Sequence, residues 1–183
     1  INPDDLVAMK GFVDSQIQLG YVEEAVKSLE EALLKQPYHR ELMMLLVDCY
    51  FEMDNVAEAE RLTIKLVEQE PSNYPKLLDL VKVYLRNSEL LSAIRPLTMA
   101  SEHLLVGGQA ELLESYINQI LSKDPEQLES LRLLVRLHTW QRDEIQIKSA
   151  LERLAEAARM NDAVDDEKNS LSQLIMISPQ SSY

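Results

Sequence analysis

Glycine, proline and cysteine are all scarce in this chain of 183 residues, and each scarcity closes off a class of structure. Four Gly and seven Pro are too few for the closely spaced turns of an all-β protein. A single cysteine, Cys49, excludes an intramolecular disulfide framework and any CxxC metal or redox site. Long apolar runs are missing too: the longest, Leu42 to Val47, is far too short to span a bilayer. Positive charge is in deficit, with 18 Lys and Arg against 31 Asp and Glu. The net charge of −13 opposes broad binding to nucleic acid or to an anionic membrane surface. What is present is ordinary: 46% hydrophobic and 27% charged residues can bury a core and do not describe a disordered chain. The length suits one globular domain or a short solenoid.

The chain opens on Ile1 rather than Met, as a fragment or a processed product would. No basic start followed by an apolar stretch reads as a signal peptide, and one already removed would leave no trace. The expected location is cytoplasmic. Residues Ser178 to Tyr183 read as a polar tail.

Prolines reveal internal repeats. Pro3, Pro37 and Pro71 are spaced by 34 residues, and Pro71, Pro125 and Pro179 by 54. Proline suits a junction because it stops the helix before it and fits the first turn of the next. Inside the 34-residue units, apolar residues recur at helical spacing. Met9, Phe12, Val13 and Ile17 form one stripe, and Val22, Ala25, Val26, Leu29, Ala32 and Leu33 the next. Met43, Leu46, Val47 and Tyr50, then Val56, Ala59, Leu62, Leu66 and Val67, repeat that order. Gly20 and Asp54-Asn55 fall between paired stripes, where a helix can end in a left-handed turn.

These residues resemble the tetratricopeptide repeat, a helix pair of 34 residues. Met9, Phe12, Val13, Gly20, Ala25, Leu29, Ala32 and Pro37 stand at signature positions, as do Met43, Leu46, Val47, Tyr50, Ala59, Thr63 and Pro71. Leu77, Leu80, Val81 and Tyr84, with Ala93, Leu97 and Ala100, begin a third unit, so the resemblance is strongest over residues 1–100. Two departures stand out. Valines 13, 47, 81 and 135 replace a small residue, which implies wider helix packing, and Thr63 replaces an aromatic.

The 54-residue period maps Leu77, Leu80, Val81 and Val83 onto Leu131, Leu134, Val135 and Leu137. Each such unit has room for three helices, at 74–87, 90–105 and 109–123, then 127–141, 144–160 and 163–177. Gly107-Gly108 and Asn161-Asp162 occupy equivalent turns. Pro96, near the first turns of the sixth helix, either kinks it or delays its start. The predicted fold is all-α: a right-handed superhelical solenoid of about ten antiparallel helices in one continuous domain. It comprises two helix pairs over 1–71, three-helix units over 72–125 and 126–179, and a tail at 180–183.

Little in the sequence carries catalytic chemistry, and neither an enzyme, a cofactor nor a metal site is expected. Gly107-Gly108 lacks the Lys-Ser/Thr of a phosphate loop and reads as a turn. His39, His103 and His138 are too scattered for zinc; His138 reads as a packed, hydrogen-bonded residue and His39 as a solvated one in a turn. Cys49 reads as a buried, inert thiol. Met43, Met44 and Met53 read as core fillers or as an adaptable binding surface.

The resemblance implies a groove, lined by the first helix of each repeat, that takes a protein or peptide segment. Candidate contacts are Lys10, Asp14, Ile17 and Gln18; Glu41, Met44, Asp48 and Glu52; Lys82, Leu85 and Arg86; and Arg132, Arg136 and Trp140. Asp14, where a carboxylate-clamp subclass has Asn, with Met44 and Leu45, speaks against that clamp. Net charge is −9 over 1–70, −1 over 71–125 and −3 over 126–183, so a basic set (Lys82, Arg86, Arg132, Arg136) follows an acidic one. It marks either a site for an anionic segment or ordinary solvated faces. Trp140 either anchors a partner or caps the helix packing. The expected function is a non-catalytic scaffold that buries a partner segment against Met44, Leu85 and Trp140, the charge gradient setting specificity. Homodimerisation through apolar solenoid ends, with Leu171 to Ile177 too apolar for a clean cap, is the second reading. Helical-repeat RNA binding is a minor third.

Overall fold

The computed structural model describes residues 6–177; Pro3, Pro179 and the polar tail lie outside the described residues. Ten α-helices follow one another: α1 Leu6–Leu19, α2 Val22–Lys35, α3 Arg40–Glu52, α4 Val56–Gln69, α5 Pro75–Arg86, α6 Leu90–Val106, α7 Ala110–Leu121, α8 Leu128–Gln141, α9 Glu144–Met160 and α10 Val164–Ile177. A short 3-10 turn, Pro71–Asn73, precedes α5, and the described residues include no strand. The sequence placed α5 to α10 to within two residues and set the apolar stripes of the first four helices inside α1 to α4, because apolar periodicity and the turn residues agree. Pro96 does not delay α6, which runs unbroken through it with the proline ring buried.

The helices form two compact units, divided between Val83 and Tyr84 inside α5. In the first unit, α1 packs on α2 and α3, α2 on α3, and α3 on α4. Its core buries the small residues Ala25, Ala32 and Ala59 together with the larger Leu29, Leu42, Met43, Leu66, Leu77 and Leu80. Cys49 is fully buried, as the sequence implied. Burial, reinforced by the carboxylates of Asp48, Glu52 and Asp14, pushes its thiol up to about 11, which keeps it protonated and unreactive near neutrality. Thr63, standing where an aromatic was expected, is also buried, and its hydroxyl has no hydrogen-bond partner.

In the second unit, α7 packs on α6 and α8, α6 also reaches α8, and α9 packs on both α8 and α10. Its core is built on Leu97, Leu104, Ile117, Ile120, Leu131, Leu137, Leu151 and Ala158. His138 is buried there, with Nδ1 3.0 Å from the side-chain oxygen of Gln141. The replacement valines are buried at positions 13, 47 and 81 and half-buried at 135.

Two kinds of connection join the helices. At six of them one residue is left-handed: Gly20 (φ 78°), Asp54 (54°), Ser88 (63°), Gly108 (71°), Arg142 (58°) and Asp162 (54°). In each case the next amide donates to the carbonyl five residues back, as in Tyr21 to Gln16 (2.8 Å) and Gln109 to Leu104 (2.7 Å). That bond satisfies a carbonyl that the helix end would orphan. The other three connections carry Pro37, Pro71 and Pro125 instead. After Pro37 and Pro125, side chains cap the next helix: His39 accepts from the amide of Leu42 at 3.4 Å, and Gln127 from that of Ser130 at 2.6 Å. His39 is thus a half-buried cap, not the solvated turn residue the sequence suggested.

Candidate functional site

The Pro71 connection shows how the scaffold fixes its helices. Asn73, buried in the turn, donates from Nδ2 to the Leu66 carbonyl (3.1 Å) and accepts at Oδ1 from Arg40 Nε (2.7 Å). One side chain therefore ties the end of α4 to the start of α3. Nothing in the helical periodicity marks Asn73, since its role depends on a partner 33 residues earlier.

Candidate contacts on α3 and α5 differ in how far the fold has already engaged them. Met44 and Leu85 are half-buried. Asp48 forms an ion pair with Lys76 of α5, whose ammonium also lies 3.8 Å from Asp79. Lys82 is exposed and sits 3.0 Å from Asp79 on its own helix. Arg86 is exposed in the last turn of α5, where the helix dipole favours a cation.

On α8 the leucine-rich face (Leu131, Leu134, Leu137) is buried, and Arg132, Arg136, Thr139 and Trp140 lie on exposed surface. Arg132 pairs with Asp166 of α10, its Nε donating to Oδ1 at 3.0 Å, and with Glu129. The hydrogen bonds from Asp166, then those from Glu129, push the guanidinium pKa up, despite the opposing effect of burial. Arg132 is thus the cation that joins α8 to α10. Arg136 is held more loosely, 3.6 Å from Glu102 and 3.5 Å from the Ser101 hydroxyl, both on α6. One turn on, Trp140 is 55% exposed. A concavity of about 390 Å³ is lined by Arg136, Thr139, Trp140 and Arg142. The structure thus brings together Arg136 and Trp140 of the predicted set and adds Arg142, which lies 54 residues after the left-handed Ser88.

A larger cleft of about 460 Å³ opens in the first unit between α2, α3 and α4. Leu33, Leu34, Met43, Leu46 and Leu62 line it, with Glu30, Glu58, Arg61 and Lys65 also in its wall. The Tyr50 hydroxyl donates to Glu30 at 2.9 Å there. Desolvation, then that bond to Glu30, pushes the phenol up to about 12. Among the described residues no group of three His, Cys, Asp or Glu side chains is arranged to hold a metal ion. No helix among them is long and apolar enough to cross a membrane.

Comparison with known proteins places this architecture. No curated protein matches the chain by sequence. A crystal structure from Podosopora anserina of nearly identical TPR-like repeats, described as a kinesin light chain, is 19% identical with a TM-score of 0.50. It covers 97% of this chain and 96% of that one. MamA (12% identity, TM-score 0.45, 86% of this chain and 94% of that one) and the type IV pilus biogenesis factor PilW (12%, 0.42, 97% and 95%) are more distant. The tetratricopeptide repeat profile matches residues 16–83, from the end of α1 to the division in α5. Residues 16–83 thus match the tetratricopeptide repeat, and the chain shares the fold of TPR-like repeat structures.

Proposed function

We propose that this chain is a non-catalytic interaction scaffold that binds a protein or peptide segment on exposed helix faces. Trp140 and Arg136 of α8 are the principal contacts; Leu85 and Arg86 are further candidates in the second unit, and Met44 and Lys82 are separate candidates in the first. The observation that carries this reading is the position of Trp140: a large indole left 55% exposed on a helix whose opposite face is tightly packed. Burying an exposed tryptophan in a partner commonly contributes about 2 kcal/mol or more to binding. Asp48 and Arg132 belong to the same candidate set, but Lys76 and Asp166 already engage them, so they act by holding α3 and α8 in place. The order of turns further supports reading 72–125 and 126–179 as three-helix units.

The test is affinity capture with two folded variants beside the native chain. One carries Arg136→Glu and Trp140→Ala, and the other Lys82→Glu and Arg86→Glu. A partner held by the native chain and lost by the first variant supports the α8 face. Equal capture by all three rejects it.

One feature favours a second reading, self-association. Ile175, Met176 and Ile177 at the end of α10 are 55%, 80% and 37% exposed, an apolar patch of the kind that marks an interface. Sedimentation velocity over a wide concentration range separates the readings, because a concentration-independent monomer excludes a stable homodimer.

A further inference from the structure

We infer that the concavity at the end of α8 recognises an acidic peptide segment in which two carboxylates bracket a short apolar stretch. This rests on the scaffold reading above and names the chemistry of its partner. The lining is Arg136, Thr139, Trp140 and Arg142, and it contains no carboxylate. In a chain of net charge −13, two guanidinium groups beside the single tryptophan form a local reversal of sign. A partner carboxylate gains most where the surrounding surface does not already neutralise the cation.

The neighbouring acids leave that reversal in place. Glu102 lies 3.6 Å from Arg136, but both side chains are at least half exposed, and such pairs are weak and readily exchanged. Asp143, next to Arg142, accepts a hydrogen bond from the amide of Gln146 at 3.1 Å as the cap of α9. No carboxylate among the described residues pairs with Arg142. Its left-handed backbone (φ 58°) closes α8, and it lines the concavity beside Trp140 instead of continuing along the helix. That conformation is unfavourable for a long side chain.

Spacing fixes the pattern. Arg136 and Arg142 are six positions apart, roughly 9 Å at the helical rise of 1.5 Å per residue. A peptide in the polyproline II conformation repeats its face every three residues and advances about 3.1 Å per residue, so acids three positions apart share a face and span about 9 Å. Two intervening apolar side chains then place one on the indole. The arrangement suits Asp-Leu-Leu-Asp better than a uniformly acidic run.

The experiment is a fluorescence titration of the full chain, using synthetic peptides in which Asp-Leu-Leu-Asp, Asn-Leu-Leu-Asn or Lys-Leu-Leu-Lys is flanked by Gly and Ser. Trp140, the only tryptophan, reports binding directly. Labelled-peptide anisotropy reads the variants. The acidic peptide should shift Trp140 emission to the blue and bind more weakly as salt rises. Arg136→Gln with Arg142→Gln should weaken it about tenfold, and Trp140→Ala about thirtyfold. Equal binding of the acidic and lysine peptides, no binding of the acidic one, or undiminished binding by the arginine variant would overturn the proposal. So would a concentration-dependent dimer abolished by Trp140→Ala, which would make a second copy the occupant. Loss of the peptide result while α8-dependent capture survives would reject the peptide chemistry alone; loss of both would reject the scaffold reading.

Discussion

The two ends of the chain use the same two turns in different order. From α1 to α5 they alternate: left-handed at Gly20, proline at Pro37, left-handed at Asp54, proline at Pro71. From α5 onward two left-handed turns precede each proline: Ser88, Gly108, Pro125, then Arg142 and Asp162. The left-handed residues keep the proline spacings. Gly20, Asp54 and Ser88 are 34 residues apart, while Ser88 and Arg142, like Gly108 and Asp162, are 54 apart. Packing follows the change: the next-but-one contact is α1 to α3 in the first unit and α6 to α8 in the second. The additional left-handed turn therefore leaves three helices, α5 to α7, between Pro71 and Pro125, where only α3 and α4 lie between Pro37 and Pro71. Recognition changes there too, for the family match ends at Val83.

If connections set the architecture, damage to the proline-type turn should matter most. Asn73→Ala removes hydrogen bonds to the Leu66 carbonyl and Arg40 and leaves buried polar groups unpaired. It should destabilise by about 2–3 kcal/mol, measured by urea unfolding. Left-handed turns come next. A Cβ at Gly20 would meet nothing within 4 Å, so Gly20→Ala should cost only the backbone strain, about 1–2 kcal/mol. Ser88→Gly should relieve strain in the equivalent turn and raise stability by up to about 1 kcal/mol. Opposite signs at these two positions would sharpen the comparison, and equal signs would break it.

Smaller effects separate the two cores. Thr63→Val deletes a buried hydroxyl that has no partner, and should leave stability unchanged or raise it by about 1 kcal/mol in thermal melts. Alkaline titration should affect the first unit through Cys49 and Tyr50. Both groups are raised above their ordinary values of 9.0 and 10.0, so the unfolded chain loses those protons first. Their contribution is complete below about pH 9 and falls as pH rises through about 11 and 12. Tyr50→Phe should lessen the dependence on pH above about 10.

Much of the architecture was legible because apolar periodicity and turn chemistry are local. Gly20, Asp54, Gly108 and Asp162 announced their turns by residue type, and Pro37, Pro71 and Pro125 by spacing. Ser88 and Arg142 did not, since serine and arginine carry no preference for left-handed backbone. Long-range polar contacts were equally silent. Sequence grouped Lys82, Arg86, Arg132 and Arg136 by sign, whereas the fold pairs Arg132 with Asp166, 34 residues away, and Asp48 with Lys76. Charge counts residues, but coordinates are needed to say which charges are already engaged. That is why Arg136, Trp140 and Arg142 emerge as the candidate contact surface only once the helices are in place.

The most direct test is site-specific photo-crosslinking from position 140, with a second probe at Glu68 on the exposed surface of α4. The account predicts that position 140 captures a distinct protein that position 68 does not, and that Arg136→Glu abolishes the crosslink. The same products from both positions, or only crosslinked copies of the chain itself, would contradict it.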